Sequence, residues 1–244
     1  MTEVFNNENK GKPSFSFVVA TQTTEEEWRE GRKELTLLQS LVRMTLAEAD
    51  VKVWVEFGNK DGLSTVYNKA LTNIEKSDYL VFTHDDITLN DAFFFDKVIN
   101  SKFDVIGAVG GKAWGIPGGF DLEHRPLIWT VATCGKGASG FMLHDLHTYG
   151  DHYMPSSYGY APLETMTLDG SIIIFTRKAV EKGLRWDEGF GFHWYDMDIC
   201  AQAHKLGLRV GTAPILLTHG SVGASVAQPE FMKGQRRFVE KWLK

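Results

Sequence analysis

The sequence predicts an α/β fold in which a mixed, mostly parallel central sheet is flanked by helices within a single domain. Short apolar runs alternate with helical patterns along the chain, which is typical of such a sheet. The 244 residues suit one large domain, and a hydrophobic content of 43% is enough for a core. We find no internal repeat and no clear linker, so nothing divides the chain into separate domains.

The predicted elements follow one another in a regular order up to about residue 110. Strands are predicted at residues 15–20, 51–57, 79–83, 105–109 and 169–176, with an extended segment at 209–218. Helices are predicted after a capping box formed by Thr24 and Glu27, and at residues 64–75, 90–101, 196–206 and 229–244. The polar residues 1–14 are expected to form a loose arm. Residues 111–166 lack a clear period but are rich in aromatic residues, so we interpret them as a wall of a binding site.

Composition and charge exclude several classes of protein. The net charge of −5 argues against broad nucleic-acid binding, which requires a basic face. No apolar run approaches the ~20 residues of a membrane helix, and the first apolar run is too short for the core of a signal peptide. The two cysteines, Cys134 and Cys200, do not make a disulfide framework. We therefore expect a soluble, reduced, cytoplasmic protein.

Acidic residues follow the predicted strands, at the edge where open α/β sheets bind ligands. The first group is His84-Asp85-Asp86, after the strand YLVFT. A carboxylate in this position can bind Mg²⁺ or Mn²⁺ through oxygen, although for this group on its own an Asx-turn is the favoured explanation. Asp169 enters a later strand, where a turn is an equal alternative.

A third acidic group lies at the predicted start of the helix over residues 196–206. Asp196 and Asp198 both lie in its first turn, and a helix start favours ionised carboxylates. One capping aspartate is common, whereas a second one flanked by aromatic residues exceeds what a cap requires. His219 follows the last extended segment, within reach of the same edge.

These residues, taken in order, resemble the GT-A fold glycosyltransferases, in particular the family 2-like group. The resemblance runs from Phe15 to about Gly223. Its most specific parts are WDEGFGFHWYDMDICAQAHKLG, residues 186–207, and THGSVG, residues 218–223. The former is similar to the acceptor-site motif of bacterial capsule and lipopolysaccharide sugar transferases.

The resemblance implies a metal-dependent transfer of one sugar from a nucleotide-sugar, a UDP-sugar, to a hydroxyl of a glycan or lipid-linked acceptor, with inversion. Mn²⁺ or Mg²⁺ would be bound by Asp86 and His219, because His84 occupies the first place of the family's Asp-x-Asp motif. Asp196 would be the general base, since Tyr195 stands where the family has a glutamate. The other expected site residues are Asp169 as a catalytic positioning residue, Thr21, Glu56, Asp85 and Asp86 for the donor, and Trp114, Trp194, His193, Tyr195 and Asp198 for the acceptor.

The resemblance also implies how the domain is divided. Residues 15–110 would form the nucleotide-sugar half, residues 111–227 the acceptor and catalytic half, and residues 228–244 a separate C-terminal helix. Glu56 stands where the family often has an aspartate, so the nucleotide is left open. The Gln-x-x-Arg-Trp motif of processive synthases is absent, which favours the addition of a single sugar.

Two other functions remain open from the sequence. A sugar-nucleotide pyrophosphorylase or hydrolase would use the same crevice, but no basic phosphate loop follows the first strand. A carbohydrate-binding module would need the aromatic residues without the aspartates.

The glycines of GAVGG lack dinucleotide-binding spacing, and a zinc site among His144, His147, Asp151 and His152 has no supporting cysteine. The basic, aromatic C-terminal helix allows contact with a membrane, but docking on the core is the simpler interpretation.

Overall fold

Two β-sheets form the framework of the computed structural model. It describes residues 1–31, 35–43, 49–73, 76–112, 137–145, 153–221 and 229–243. The strands are β1 (Thr2–Asn7), β2 (Ser14–Ala20), β3 (Asp50–Glu56), β4 (Tyr79–Thr83), β5 (Ile87–Leu89), β6 (Val105–Gly107), β7 (Val109–Gly111), β8 (Ala138–Asp145), β9 (Tyr153–Gly159), β10 (Leu163–Glu164), β11 (Thr167–Leu168), β12 (Ile172–Thr176), β13 (Val210–Thr212) and β14 (Leu217–His219).

The helices of the described residues are α1 (Glu25–Arg29), α2 (Thr36–Arg43), α3 (Leu63–Asn73), α4 (Phe94–Ile99), α5 (Arg177–Glu181), α6 (Tyr195–Lys205) and α7 (Pro229–Trp242). Thr24 and Glu27 cap α1 as a complete capping box, which confirms that prediction. None of these helices combines the length and the apolar character that are needed to cross a bilayer.

The large sheet has eight strands in the order β1-β3-β2-β4-β12-β6-β13-β10. The neighbours β3, β2 and β4 run parallel, as do β6 and β13. β12 runs antiparallel to β4 and β6 and so separates the two parallel groups. The mixed α/β architecture is confirmed, with parallel pairing at three of the seven strand contacts of this sheet. The parallel group places the carboxyl ends of β2, β3 and β4 side by side.

The smaller sheet has the order β11-β7-β8-β14-β5, and β9 pairs antiparallel with residues 140–145 of β8. Its strand β5 pairs with β14 so that Ile87 lies opposite His219. The chain passes from the large sheet to the smaller one between β6 and β7, where the sequence predicts one continuous strand. A Cβ at Gly110 would overlap the carbonyl oxygen of Thr167. Gly110 therefore allows β7 and β11 to pack closely.

The core lies between the large sheet and its helices. Its strand residues come from the uninterrupted apolar runs that predicted buried strands, and Phe17, Val53, Val81, Ile106 and Ile174 are at most 1% exposed. On one side, Tyr67 of α3 packs against Phe82 and Trp186 with ring centroids 4.9 and 5.1 Å apart. These contacts fix α3 and the segment before α6 against the strand that leads into the acidic groups.

The N-terminal arm differs from the expectation of a loose segment. Residues 2–7 form β1, which pairs antiparallel with β3 at the edge of the large sheet. The alternation of side chains in this short polar strand is weak, because an edge strand buries little of either face. The signal in the sequence is therefore too faint to distinguish it from a loop.

Candidate active site

The carboxyl ends of β2, β3 and β4 meet at one edge of the large sheet. The amide of Thr21 donates a hydrogen bond to the carbonyl of Glu56 at 3.0 Å, which ties the first two strand ends together. His84 follows β4 directly, and its amide donates to the carbonyl of Ser171 at 3.1 Å. The parallel arrangement thus brings residues that are far apart in sequence to a common edge.

Three side chains at this edge point their ligand atoms toward one another. His84, Asp86 and His219 each offer one ligand atom, and these atoms all lie within 4.8 Å of one another. His84 Nδ1 is 3.4 Å from His219 Nε2, which is in turn 3.4 Å from Asp86 Oδ1. The Gly220 amide donates to the Asp86 carbonyl at 2.9 Å and so holds the two segments together. We call these three residues the His-Asp-His cluster.

The electrostatics of the His-Asp-His cluster suit a cation. Burial lowers the pKa of His84, and the positive charge of His219 lowers it further, so its imidazole is neutral at pH 7. Burial opposes ionisation of Asp86, but His219 outweighs it and lowers the pKa of the carboxyl. Asp86 Oδ1 is buried and has no partner in hydrogen-bonding geometry. A buried carboxylate oxygen that makes no hydrogen bond, and has an imidazole nitrogen 3.4 Å away, is an observation that a bound cation would explain.

Tyr195 connects the His-Asp-His cluster to the start of α6. Its hydroxyl lies 2.7 Å from His84 Nε2 and donates to the Gly170 carbonyl at 2.9 Å. The ring is buried and packs against Tyr67 and Trp186. A Cβ at Gly170 would overlap this hydroxyl and would lie 3.3 Å from Asp196 Cβ. The glycine therefore allows residues 169–170 to lie directly beside the helix start.

Asp196 and Asp169 form a pair of carboxylates next to this contact. Burial, and then the negative charge of Asp169, raise the pKa of Asp196 to about 7. The expectation that the helix start keeps this carboxylate fully ionised is therefore wrong, because desolvation outweighs the amide of Met197, which donates to Asp196 Oδ1 at 2.9 Å. A pKa near neutrality is what a general base at physiological pH needs. Asp169 itself accepts a hydrogen bond from the Ser171 amide at 3.0 Å.

Comparison with known proteins identifies the architecture. No protein-family model matches the chain. A curated relative, "ATP synthase subunits region ORF 6" from Fuscovulum blasticum, is 25% identical over 167 residues, which cover 68% of this chain and 60% of the relative. The chain thus spans less than two thirds of that relative's length.

Two solved glycosyltransferase structures superpose on most of the chain. GalNAc-T7 with UDP, GalNAc and Mn²⁺ matches with a TM-score of 0.56 and 13% identity, over 96% of this chain and 49% of that one. Mannosyltransferase PcManGT from Pyrobaculum calidifontis, in complex with GDP-Man and Mn²⁺, matches with a TM-score of 0.50 and 11% identity, over 86% and 58%. The chain has the GT-A fold. At these identities the similarity establishes the fold.

Within the GT-A fold, the residues expected to bind the donor lie along the ends of β2, β3 and β4. Thr21 is buried, and its hydroxyl accepts a hydrogen bond from the Thr23 amide at 3.1 Å. Glu56 contacts the Met1 amino group at 2.8 Å and Lys69 Nζ at 3.2 Å. Asp85 is half-buried beside the His-Asp-His cluster.

Two of the residues expected to bind the acceptor are corrected by the structure. Trp194 is 4% exposed and packs against Phe231 and Phe238 of α7, so its ring has no free face for a sugar. Asp198 is 1% exposed and accepts a hydrogen bond from the Trp242 indole at 2.7 Å. Both residues anchor α7 because the buried side of α6 faces that helix.

The remaining expectations for the acceptor have different outcomes. His193 is half-buried between the rings of Phe192 and Phe231. Tyr195 is buried and contacts His84 rather than open space. Trp114 lies outside the described residues, as do Cys134 and the residues His147, Asp151 and His152 of the zinc hypothesis. Cys200 is a buried free thiol, and burial raises its pKa, which agrees with an inert role.

Three residues near the site were not assigned from the sequence. His84 joins Asp86 and His219 as a third possible ligand, and its place immediately before Asp85-Asp86 was the available signal. Phe192 is 57% exposed and stacks on the His84 ring with centroids 5.9 Å apart. His144 is buried, with its ring centroid 6.2 Å from that of His219. Only the pairing of β8 with β14 brings it there, and no local pattern reveals that pairing.

Proposed function

We propose that the chain is a metal-dependent glycosyltransferase that moves one sugar from a nucleotide-sugar to a hydroxyl of a glycan or lipid-linked acceptor. The observation that carries this proposal is the meeting of two groups at one edge of a GT-A fold. These are the His-Asp-His cluster and the carboxylate pair Asp169 and Asp196, which Tyr195 connects. The donor we propose is a UDP-sugar, the reaction is inverting, and the products belong to polysaccharide biosynthesis.

The His-Asp-His cluster would hold Mn²⁺ or Mg²⁺. The donor set of two imidazoles and one carboxylate fits a divalent cation, and the nitrogen donors favour Mn²⁺ over Mg²⁺. A bound cation supplies Lewis-acid stabilisation of the negative charge that develops on a departing diphosphate. Both structural neighbours contain Mn²⁺ together with a nucleotide or nucleotide-sugar, which supports the choice of ion.

We assign the donor to residues 15–110 and the acceptor to residues 111–227, with residues 228–244 as a C-terminal helix. Thr21 and Glu56 would contact the nucleoside, and Asp85 would reach the ribose. Parallel pairing of β2, β3 and β4 supports this assignment, because it aligns all three positions on the edge that contains Asp86.

Asp196 is the proposed general base. Its carboxylate takes the proton of the acceptor hydroxyl while the hydroxyl oxygen forms a bond to the anomeric carbon. The bond between that carbon and the diphosphate oxygen breaks, and the nucleoside diphosphate leaves with the electron pair. Attack from the side opposite the leaving group inverts the anomeric centre. Asp169 would position a hydroxyl next to Asp196.

The two alternatives predict different behaviour. A pyrophosphorylase would need a basic phosphate loop after the first strand, where this chain has Thr21-Gln22-Thr23-Thr24. A carbohydrate-binding module would need exposed aromatic faces, and burial removes Trp194 from that role. Both observations favour glycosyl transfer.

A panel of nucleotide-sugars, each with and without Mn²⁺, tests the proposed function. We expect one nucleotide to raise the melting temperature only with the metal, and its sugar derivative to be hydrolysed slowly without an acceptor. Asp86→Asn should abolish both effects, whereas Asp61→Asn, which alters an exposed carboxylate paired with Lys69, should retain them. The absence of any metal-dependent shift across the panel would refute the proposal.

A further inference from the structure

The Tyr195 hydroxyl contacts two groups, and only one arrangement of protons satisfies both. It lies 2.9 Å from the Gly170 carbonyl oxygen and 2.7 Å from His84 Nε2. A carbonyl oxygen has no proton and can only accept. The single hydroxyl proton of Tyr195 is therefore donated to Gly170.

The tautomer of His84 follows from this assignment. Since the Tyr195 proton is used, the hydroxyl oxygen must accept from His84, so Nε2 carries the N–H. The neutral imidazole has one N–H, which leaves Nδ1 with a free lone pair. This atom lies on the side of the His-Asp-His cluster, 3.4 Å from His219 Nε2.

The spacing of the cluster agrees with ligation through this lone pair. Two ligand atoms at about 2.1 Å from a common metal lie roughly 3.0–3.4 Å apart in octahedral or tetrahedral geometry. His219 Nε2 is 3.4 Å from His84 Nδ1 and 3.4 Å from Asp86 Oδ1. The other tautomer would direct an N–H at the cation and exclude it.

We propose that Tyr195 is a positioning residue that fixes His84 as a metal ligand through Nδ1. The inference rests on the metal-dependent function proposed above and identifies how its third ligand is prepared. His84 is held on two sides, by the Tyr195 hydroxyl and by the stacked ring of Phe192. Tyr195 is itself fixed by its buried contacts with Tyr67 and Trp186. A ligand whose tautomer and ring orientation are set in advance binds metal more tightly.

This contact also joins two of the positions at which the sequence departs from the pattern that it resembles. His84 stands in the place of an aspartate and Tyr195 in the place of a glutamate. A glutamate at 195 would accept the His84 N–H but would repel the Gly170 carbonyl, because a carboxylate has no proton to donate. Tyrosine satisfies both neighbours, so the two departures form one unit.

Titration of the purified chain with Mn²⁺, without nucleotide, tests the inference. Tyr195→Phe keeps the buried ring and removes the hydroxyl, and we expect Mn²⁺ affinity to fall about 10- to 100-fold by calorimetry. In a His84→Ala background the same change should have no further effect on affinity. Tyr67→Phe removes a nearby buried hydroxyl that lies 3.4 Å from the Thr83 carbonyl, and it should leave Mn²⁺ affinity unchanged.

Two spectroscopic measurements complete the test. The ¹⁵N NMR spectrum of the metal-free wild type should show His84 protonated at Nε2 and unprotonated at Nδ1. This measurement needs no variant. Electron spin echo modulation of bound Mn²⁺ should show two nitrogen ligands, and one in His84→Ala. Any of three results would overturn the inference. These are wild-type Mn²⁺ affinity in Tyr195→Phe, an equal loss of Mn²⁺ affinity from this change in the wild-type and His84→Ala backgrounds, and a His84 tautomer protonated at Nδ1. Because no sugar donor is present, these results stand apart from any failure of the proposed glycosyl transfer.

Discussion

The surroundings of Asp196 raise the pKa of its carboxyl group to about 7, and this property makes its proposed role testable. Asp196→Asn preserves the shape of the side chain but cannot accept the acceptor proton. We expect the transfer rate to fall by about 10²–10⁴-fold while nucleotide binding is retained. Radiolabelled sugar transfer and calorimetry with nucleotide measure the two properties separately. Transfer near the wild-type rate would remove Asp196 from the mechanism.

The pH dependence of transfer should report the same group. Since the base acts in its ionised form and its pKa is raised to about 7, the rate should increase with pH below about 7 and level off above it. Initial rates between pH 5.5 and 8.5, at saturating metal and donor, measure this profile. A rate that decreases across that range would contradict the assignment of a base.

At the level of elements, ion pairs connect α7 to the segment before α6. Asp187 accepts from Arg237 at 2.9 Å and from Lys241 at 2.6 Å. Burial alone would raise the pKa of Asp187, but Lys241, the Gly189 amide and Arg237 lower it to about 2. The folded pKa lies below the unfolded value, so the stabilisation is complete above about pH 4 and is lost as the pH falls toward 2.

Asp187→Asn should therefore lower the free energy of unfolding at neutral pH by about 1 kcal/mol, because solvent screens these partly exposed ion pairs. The difference from the wild type should shrink as the pH falls from 4 toward 2. Urea unfolding at several pH values provides the measurement, with Asp61→Asn as a control for an exposed carboxylate. A difference that does not change with pH would show that α7 does not depend on this charge.

The backbone before α6 explains why part of the site was misread in the sequence. Trp194 has a left-handed conformation, with φ of 69°, which an aromatic residue adopts only when its surroundings compensate for the strain. Phe231 and Phe238 supply that compensation from α7. The local pattern HWYDMD identifies the helix start and its aspartates, but it does not show that the tryptophan turns toward a helix about 40 residues away.

The elements with strong local patterns were predictable from the sequence. The strands β2, β3, β4 and β12 follow uninterrupted or alternating apolar runs, and Thr24 with Glu27 shows the capping box directly. The short strand β1 and the division of residues 105–111 between two sheets were not predictable, because both depend on which strands pair with them. The same holds for His144, whose place beside His219 depends on the pairing of β8 with β14 in the smaller sheet.

At the scale of the whole molecule, the His-Asp-His cluster joins segments 135 residues apart in the chain. His84 follows the end of a strand of the large sheet, whereas His219 ends β14 of the smaller one. A cation bound by both His84 and His219 is a removable cross-link between the two sheets. Cross-links that close long loops restrict the chain most, and binding only to the folded state adds stability by mass action.

Removal of the metal by a chelator should therefore increase amide exchange more in the smaller sheet than at the β1 edge of the large sheet. With Mn²⁺ bound, backbone amides of β5 and β14 should exchange with deuterium more slowly than in chelated protein. Amides of β1, at the opposite edge of the large sheet, should not change. Mass spectrometry of exchanged peptides measures both regions, and equal protection in the two would count against such a cross-link. In the GT-A fold of this chain, a metal ion bound by the His-Asp-His cluster would also govern how firmly the smaller sheet is attached to the large sheet.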